Sequence, residues 1–145
     1  MKRIFILLIA ITTLAACNKP TIKKDFFEDG TLKSEKTFEK IDGKEVLIKE
    51  IRYHPNGKKY IEGNYNEGLR EGKWTSWYND GQLWSEGNFK QDKSDGERTV
   101  YHSNGKLHYK GAFDMGKRVG IWLFYDEFGV KINEINYDKT PESKD

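Results

Sequence analysis

The sequence predicts an all-β protein: an antiparallel meander of about ten short strands, built from β-hairpin repeats into an open, twisted single sheet. Three observations lead there. Turn-forming triplets ending in glycine recur at near-constant intervals, aromatic residues hold fixed offsets from those glycines, and the segments between them alternate with period two. No segment after the first 16 residues sustains a 3.6-residue period.

The triplets are Glu28-Asp29-Gly30, Pro55-Asn56-Gly57, Asn79-Asp80-Gly81, Ser103-Asn104-Gly105 and Glu127-Phe128-Gly129, with glycines 27, 24, 24 and 24 residues apart. Four residues before each glycine stands Phe26, Tyr53, Trp77, Tyr101 or Tyr125, and eight after stands Phe38, Tyr65, Phe89, Phe113 or Tyr137. Asn-Gly or Asp-Gly between alternating runs is a hairpin signal, read here as a turn in which both central residues take positive φ. In the third unit Leu83, Ser85, Gly87 and Phe89 alternate with Gln82, Trp84, Glu86 and Asn88. The fourth unit repeats this with Leu107, Tyr109, Gly111 and Phe113.

Glycines also stand inside the strands. Gly63, Gly87 and Gly111 lie two residues before an aromatic on the same face. A strand glycine marks a close approach, so each is expected to leave a slot in which a ring from the adjoining strand lies flat. Gly72, Gly96 and Gly120 recur likewise fifteen residues after a turn glycine. The end units keep the aromatics but carry Lys36 and Ile135 at the slot position, as terminal caps do. The expected core is a row of rings.

The amino terminus has a different character. Lys2 and Arg3 precede an apolar run, Ile4 to Leu14, closed by Leu14-Ala15-Ala16-Cys17. Eleven helical residues reach about 16 Å against a hydrocarbon core of roughly 30 Å, so residues 1–16 read as a signal peptide rather than a span. The closing tetrapeptide resembles the bacterial lipobox, which implies cleavage before Cys17 and acylation of that residue, with palmitate among the acyl groups. The lipid on Cys17 would attach the protein to a membrane of the bacterial cell envelope, the outer membrane in a Gram-negative cell. Two or three acyl chains anchor firmly where one exchanges. Cys17 is the only cysteine, so no intramolecular disulfide is expected. Residues 17–25 read as a lipidated tether, 26–137 as the repeat domain and 138–145 as a charged tail.

Charge narrows the partners. Removal of Lys2 and Arg3 lowers the basic residues from 25 to 23, matching the 23 acidic ones. A balanced mature domain offers no net field to a phosphate backbone, so no nucleic acid is expected. His54 and His102 occupy equivalent places three residues before a turn glycine, so the repeat accounts for them. No catalytic grouping, phosphate loop or zinc spacing stands out, and the sequence points to no enzyme activity, no cofactor and no metal. Glu35, Glu62, Glu86 and Glu134 form an acidic row, but residues two strands apart are about 10 Å apart and cannot share an ion. The expectation is that these carboxylates are solvated or pair with lysines on the intervening strands. Tyr60 and Trp84 fall opposite the ring row, with Glu62 and Glu86, and are the candidate partner-binding residues.

The string from Glu62-Gly63-Asn64-Tyr65 through Gly72-Lys73-Trp74, with Glu86-Gly87-Asn88-Phe89, resembles the MORN repeat, and more closely its bacterial variant, often labelled as a toxin–antitoxin-system antitoxin family. The resemblance covers nearly all of residues 26–137 in about five units. It implies a hairpin array and a role in binding or neutralising another protein. Departures are Lys110 where Glu62 and Glu86 stand, Arg98 where Trp74 and Trp122 stand, and a first unit three residues longer. The expected function is a non-enzymatic, lipid-anchored scaffold binding an envelope protein or peptide. The alternative is an antitoxin or immunity-type protein, followed by lipid or glycan binding and an envelope hydrolase.

Overall fold

The computed structural model of the protein describes residues 19–139; the signal segment, Cys17 and residues 140–145 lie outside them. Ten strands, β1 (Thr21–Phe26), β2 (Leu32–Ile41), β3 (Lys44–Tyr53), β4 (Lys59–Asn66), β5 (Leu69–Trp77), β6 (Leu83–Lys90), β7 (Lys93–Tyr101), β8 (Leu107–Asp114), β9 (Lys117–Tyr125) and β10 (Lys131–Asn136), pair antiparallel in chain order within one open sheet. The extra three residues of the first interval lie in β2 and β3, ten residues each against eight and nine in β4 and β5.

Two kinds of turn alternate along the edges, and they reverse the expected turn chemistry. At the Asx-Gly triplets only the glycine has positive φ, 81° at Gly57 for example, and five residues close a loop in which the His54 N–H donates to the Lys58 carbonyl at 2.8 Å. The turns with two positive-φ residues lie at the opposite edge: Asp42-Gly43, Glu67-Gly68, Gln91-Asp92 and Met115-Gly116. Those two-residue loops match strand twist, but Glu-Gly and Met-Gly carry a weaker signal than Asn-Gly.

One face holds the rings. Trp74 packs edge-on to Tyr65 at 5.3 Å and to Phe89 at 6.1 Å. Trp122, fully buried, meets Phe113 at 5.0 Å and Tyr137 at 5.8 Å, both edge-on. Each indole lies on a slot glycine. A Cβ on Gly63 would fall 2.1 Å from Trp74 Cδ2, and one on Gly111 would fall 2.3 Å from Trp122 Cδ2. The hydrogen bonds repeat too, with Trp74 Nε1 donating to the Asn64 carbonyl and Trp122 Nε1 to the Ala112 carbonyl, both at 3.2 Å.

The row is not continuous. Over Gly87 sits Arg98 rather than a ring, with Nε 3.4 Å from the position of an added Cβ. That buried Nε lacks a hydrogen-bond partner, and the guanidinium lies 5.7 Å from the Phe89 ring. In the first third of the sheet a polar network takes over. Buried Glu50 accepts from Tyr65 Oη at 2.9 Å and Arg52 Nη2 at 3.0 Å, and Ser34 Oγ donates to Asp25 at 2.9 Å. The tether is correspondingly shorter than the sequence suggests, because residues 21–25 pair with β2. Asp138, assigned to the tail, accepts from the Gly120 N–H at 2.7 Å, and so extends the ordered part.

Candidate functional site: the charged face and its ring ladder

The second face is a lattice of charge. Reading across the pairings, Lys24, Glu35, Ile51, Glu62, Thr75, Glu86, Thr99, Lys110, Leu123 and Glu134 stand opposite one another in a single row through all ten strands. The acidic row is therefore real, and lysines serve it. Lys24 Nζ meets Glu35 at 2.8 Å, Lys73 pairs with Glu86, and Glu62 takes both Lys49 and Lys59. Glu134 departs from the expected pattern, since its lysine, Lys131, is on its own strand.

Hydrogen bonds from Lys24 and then Tyr53 hold the Glu35 carboxyl below the usual carboxylate range, and Lys49 and Lys59 do the same for Glu62. Burial, with the bond to Glu35, pushes Tyr53 up to about 12. These groups therefore stay ionised, or in the tyrosine's case neutral, throughout the physiological range. Among the described residues no group of three or more His, Cys, Asp or Glu side chains is placed to hold a metal ion.

Tyr60 and Trp84 owe their position to a device that simple alternation hides. In every unit the pairing slips by one residue just after the turn glycine. Arg52 faces Ile61 but Tyr53 faces Lys59, and Ser76 faces Ser85 but Trp77 faces Leu83. The extra residue is Lys33, Tyr60, Trp84, His108 or Ile132. A bulge of this kind bends the strand and re-aims the unpaired side chain, so the alternation of Leu83 with Ser85 is interrupted at Trp84.

Three of those extra residues pair with a ring across their turn. Tyr60 lies 5.0 Å from His54, Trp84 6.0 Å from Tyr78, and His108 4.2 Å from His102. Tyr60, Trp84 and His108 are exposed. The inner rings are fastened to the next unit. His54 Nε2 is 3.0 Å from the Trp77 carbonyl, Tyr78 Oη donates to the Tyr101 carbonyl at 2.7 Å, and His102 Nε2 is 2.9 Å from the Tyr125 carbonyl. Asn56 and Lys58 donate to the Asn79 and Asp80 carbonyls, and Asn104 and Lys106 repeat this on Glu127 and Phe128. Partial burial, followed by the neighbouring His102, lowers the His108 pKa, which favours the neutral stack. The result is a rigid three-rung ladder at one edge of the charged face.

The model of the MORN repeat variant matches residues 22–40, 48–67, 70–91, 94–114 and 118–139, and each match spans one hairpin about a turn glycine, Asx-Gly in the first four and Phe128-Gly129 in the fifth. The chain belongs to the MORN repeat variant family. No curated protein matches it. Five MORN-variant units account for every strand, with each ladder rung arising at the same point of the repeat. Of the sequence-derived candidates, Tyr60 and Trp84 occupy equivalent places on successive rungs without touching a common ring, while Cys17 lies outside the described residues. Histidine as ladder material was legible only as the repeat equivalence of His54 and His102, which leaves His108 out. Its partner across the turn depends on the bulge.

Proposed function

We propose that the protein is a non-enzymatic scaffold, held in the bacterial cell envelope by lipid on Cys17, whose ring ladder grips an extended segment of another envelope protein. The observation that carries this reading is the ladder itself: exposed Tyr60, Trp84 and His108 at one register in three successive units, each braced by a second ring. Rungs two strands apart are about 9.6 Å apart, close to the pitch of about 9.3 Å of a polyproline II chain, so a peptide in that extended form crossing the strands offers every third side chain to a rung. Aromatic anchors in a rigid frame bind with little ordering cost.

A photo-crosslinking residue in place of Trp84, in intact cells carrying the otherwise unaltered protein, tests the reading. A discrete envelope polypeptide should be captured, and capture should fall when Tyr60→Ala is added. The same probe at Lys90, at the far end of the same strand, should yield none; equal capture from both positions would count against it. A toxin as the captured polypeptide would turn the scaffold into an immunity-type protein, the alternative that the family resemblance offers. For the anchor, Cys17→Ala should move the protein from the membrane to the soluble fraction and abolish labelling by a fatty-acid analogue, and retained label would refute it.

A further inference from the structure

An open sheet has two unpaired edges, and here they complement each other. The five most exposed large apolar side chains among the described residues all lie at the ends of the array. They are Ile22 and Phe26 on β1, both 58% exposed, with Phe128, Val130 and Ile132 at β10 and its turn, 81%, 60% and 64% exposed; the next, Ile121, is 53% exposed. At Phe26 the end strand exposes what its internal equivalents cover, whereas the positions of Phe128, Val130 and Ile132 are exposed in the internal units too, and the end unit differs in filling all three with wholly apolar side chains. Phe26 holds the repeat position of Tyr53 and Trp77. Those rings are half-buried, Tyr53 bonded to Glu35 of the preceding unit and Trp77 under Lys59 Nζ at 5.6 Å. Among the described residues Phe26 has no preceding unit, while at the other end Lys131 and Glu134 occupy the positions of Lys59 and Glu62 with no following unit to cover.

We infer that β1 of a second copy adds antiparallel to β10, so that copies join head to tail and continue the sheet. The register follows from the internal junctions. In β8–β9, Tyr109 faces Phe124 and Lys110 faces Leu123; in β4–β5, Ile61 faces Ser76 and Glu62 faces Thr75. Translated along the repeat, these place Asn133 opposite Asp25 and Glu134 opposite Lys24 of the next copy. The charged row then runs on without a break, Glu134 meeting an opposite charge directly across, and Phe26 is seated under Lys131 as Trp77 is under Lys59. Ile135, where the internal units have a slot glycine, meets Lys23 rather than an indole, so the junction needs no slot. The contact is heterologous and generates a chain of copies rather than a closed pair. This inference is independent of what the ladder binds.

Residues directly opposite across an antiparallel pair have Cα atoms about 4.5 to 5.5 Å apart, within the range a disulfide spans. The full-length protein with Cys17→Ser and the pair Lys24→Cys and Glu134→Cys, oxidised under mild conditions, should therefore form a ladder of trimers and larger species on non-reducing gels. Either cysteine alone should stop at dimer. The pair Lys23→Cys and Glu134→Cys, one residue out of register and on opposite faces, should lose the ladder. Parent circular dichroism in each variant shows that the sheet is intact. Absence of species above dimer, equal ladders from both pairs, or crosslinks chiefly to other polypeptides would overturn the proposal.

Discussion

Gly111→Ala isolates the packing device on which the ring face depends. A Cβ there falls 2.3 Å from Trp122 Cδ2, whereas carbon atoms rest at about 3.5 Å or more, so the indole must retreat by about 1.2 Å. It has little room. Phe113 stands at 5.0 Å, Tyr137 at 5.8 Å and Tyr109 at 5.9 Å, and the Arg118 guanidinium lies 4.5 Å from its ring. Overpacking of this kind costs about 1 to 3 kcal/mol, and complete loss of a buried tryptophan about 3 to 5, which bounds the effect from above. Alanine in a strand returns about 0.5 to 1 kcal/mol relative to glycine. The net expectation is destabilisation by about 1 to 2 kcal/mol, or about 4 to 8 °C in melting temperature. Gly87→Ala is the internal control, because its nearest neighbour is the Arg98 side chain at 3.4 Å. There the strand gain is kept, and stability should match the parent's or exceed it by up to about 1 kcal/mol. Thermal and urea unfolding monitored by tryptophan fluorescence read both. Equal losses for the two variants, or a greater loss at Gly87, would refute slot packing as the reason for these glycines.

Arg98→Trp should raise stability by about 1 kcal/mol in the same assay, since it replaces a buried Nε without a partner by the ring that Gly63 and Gly111 accommodate; a fall would show that Gly87 is not an equivalent slot. Asn104→Ala removes both the bond to the Glu127 carbonyl and that to the Lys106 N–H, and should cost about 1 to 2 kcal/mol, with hydrogen exchange accelerated at the β9–β10 turn and unchanged at β4–β5. Burial raises the Glu50 pKa, but the bonds from Arg52 and Tyr65 outweigh it and hold the carboxyl below its ordinary 4.5. Its stabilisation is therefore full above that value and fades as pH falls. Glu50→Gln should be less stable than the parent at pH 7 by about 1 to 2 kcal/mol, and the gap should narrow progressively as pH falls below 4.5. Urea midpoints that stay parallel with pH would contradict this.

The hairpin array was legible because one block of residues recurs, and five copies of the same offsets leave little freedom in strand count or order. The slots at Gly63 and Gly111 were legible for a related reason: a glycine missing its side chain and a ring elsewhere in the unit repeat together. Arg98 broke that inference at Gly87 because a single substitution in β7 changes the occupant without changing the glycine. The turn types were misread because Asn-Gly serves both a two-residue turn and a five-residue loop, and local composition alone does not separate them. The ladder was half visible. Tyr60 and Trp84 stood out as exposed rings, but their braces, His54 and Tyr78, lie across a one-residue slip that an unbroken period-two reading cannot contain. In the first third of the sheet nothing in the repeat pattern singles out Glu50, and its burial depends on Arg52 beside it and Tyr65 on β4.

Because the strands follow chain order, the two ends of the polypeptide leave from opposite sides of a sheet about 43 Å across, nine strand spacings wide. Tension between them would act along the hydrogen bonds, peeling junctions one after another instead of shearing many together. Extension should then rise in small steps at low force, starting at whichever end is less well packed. A tether of this design yields gradually and re-zips from the part still folded.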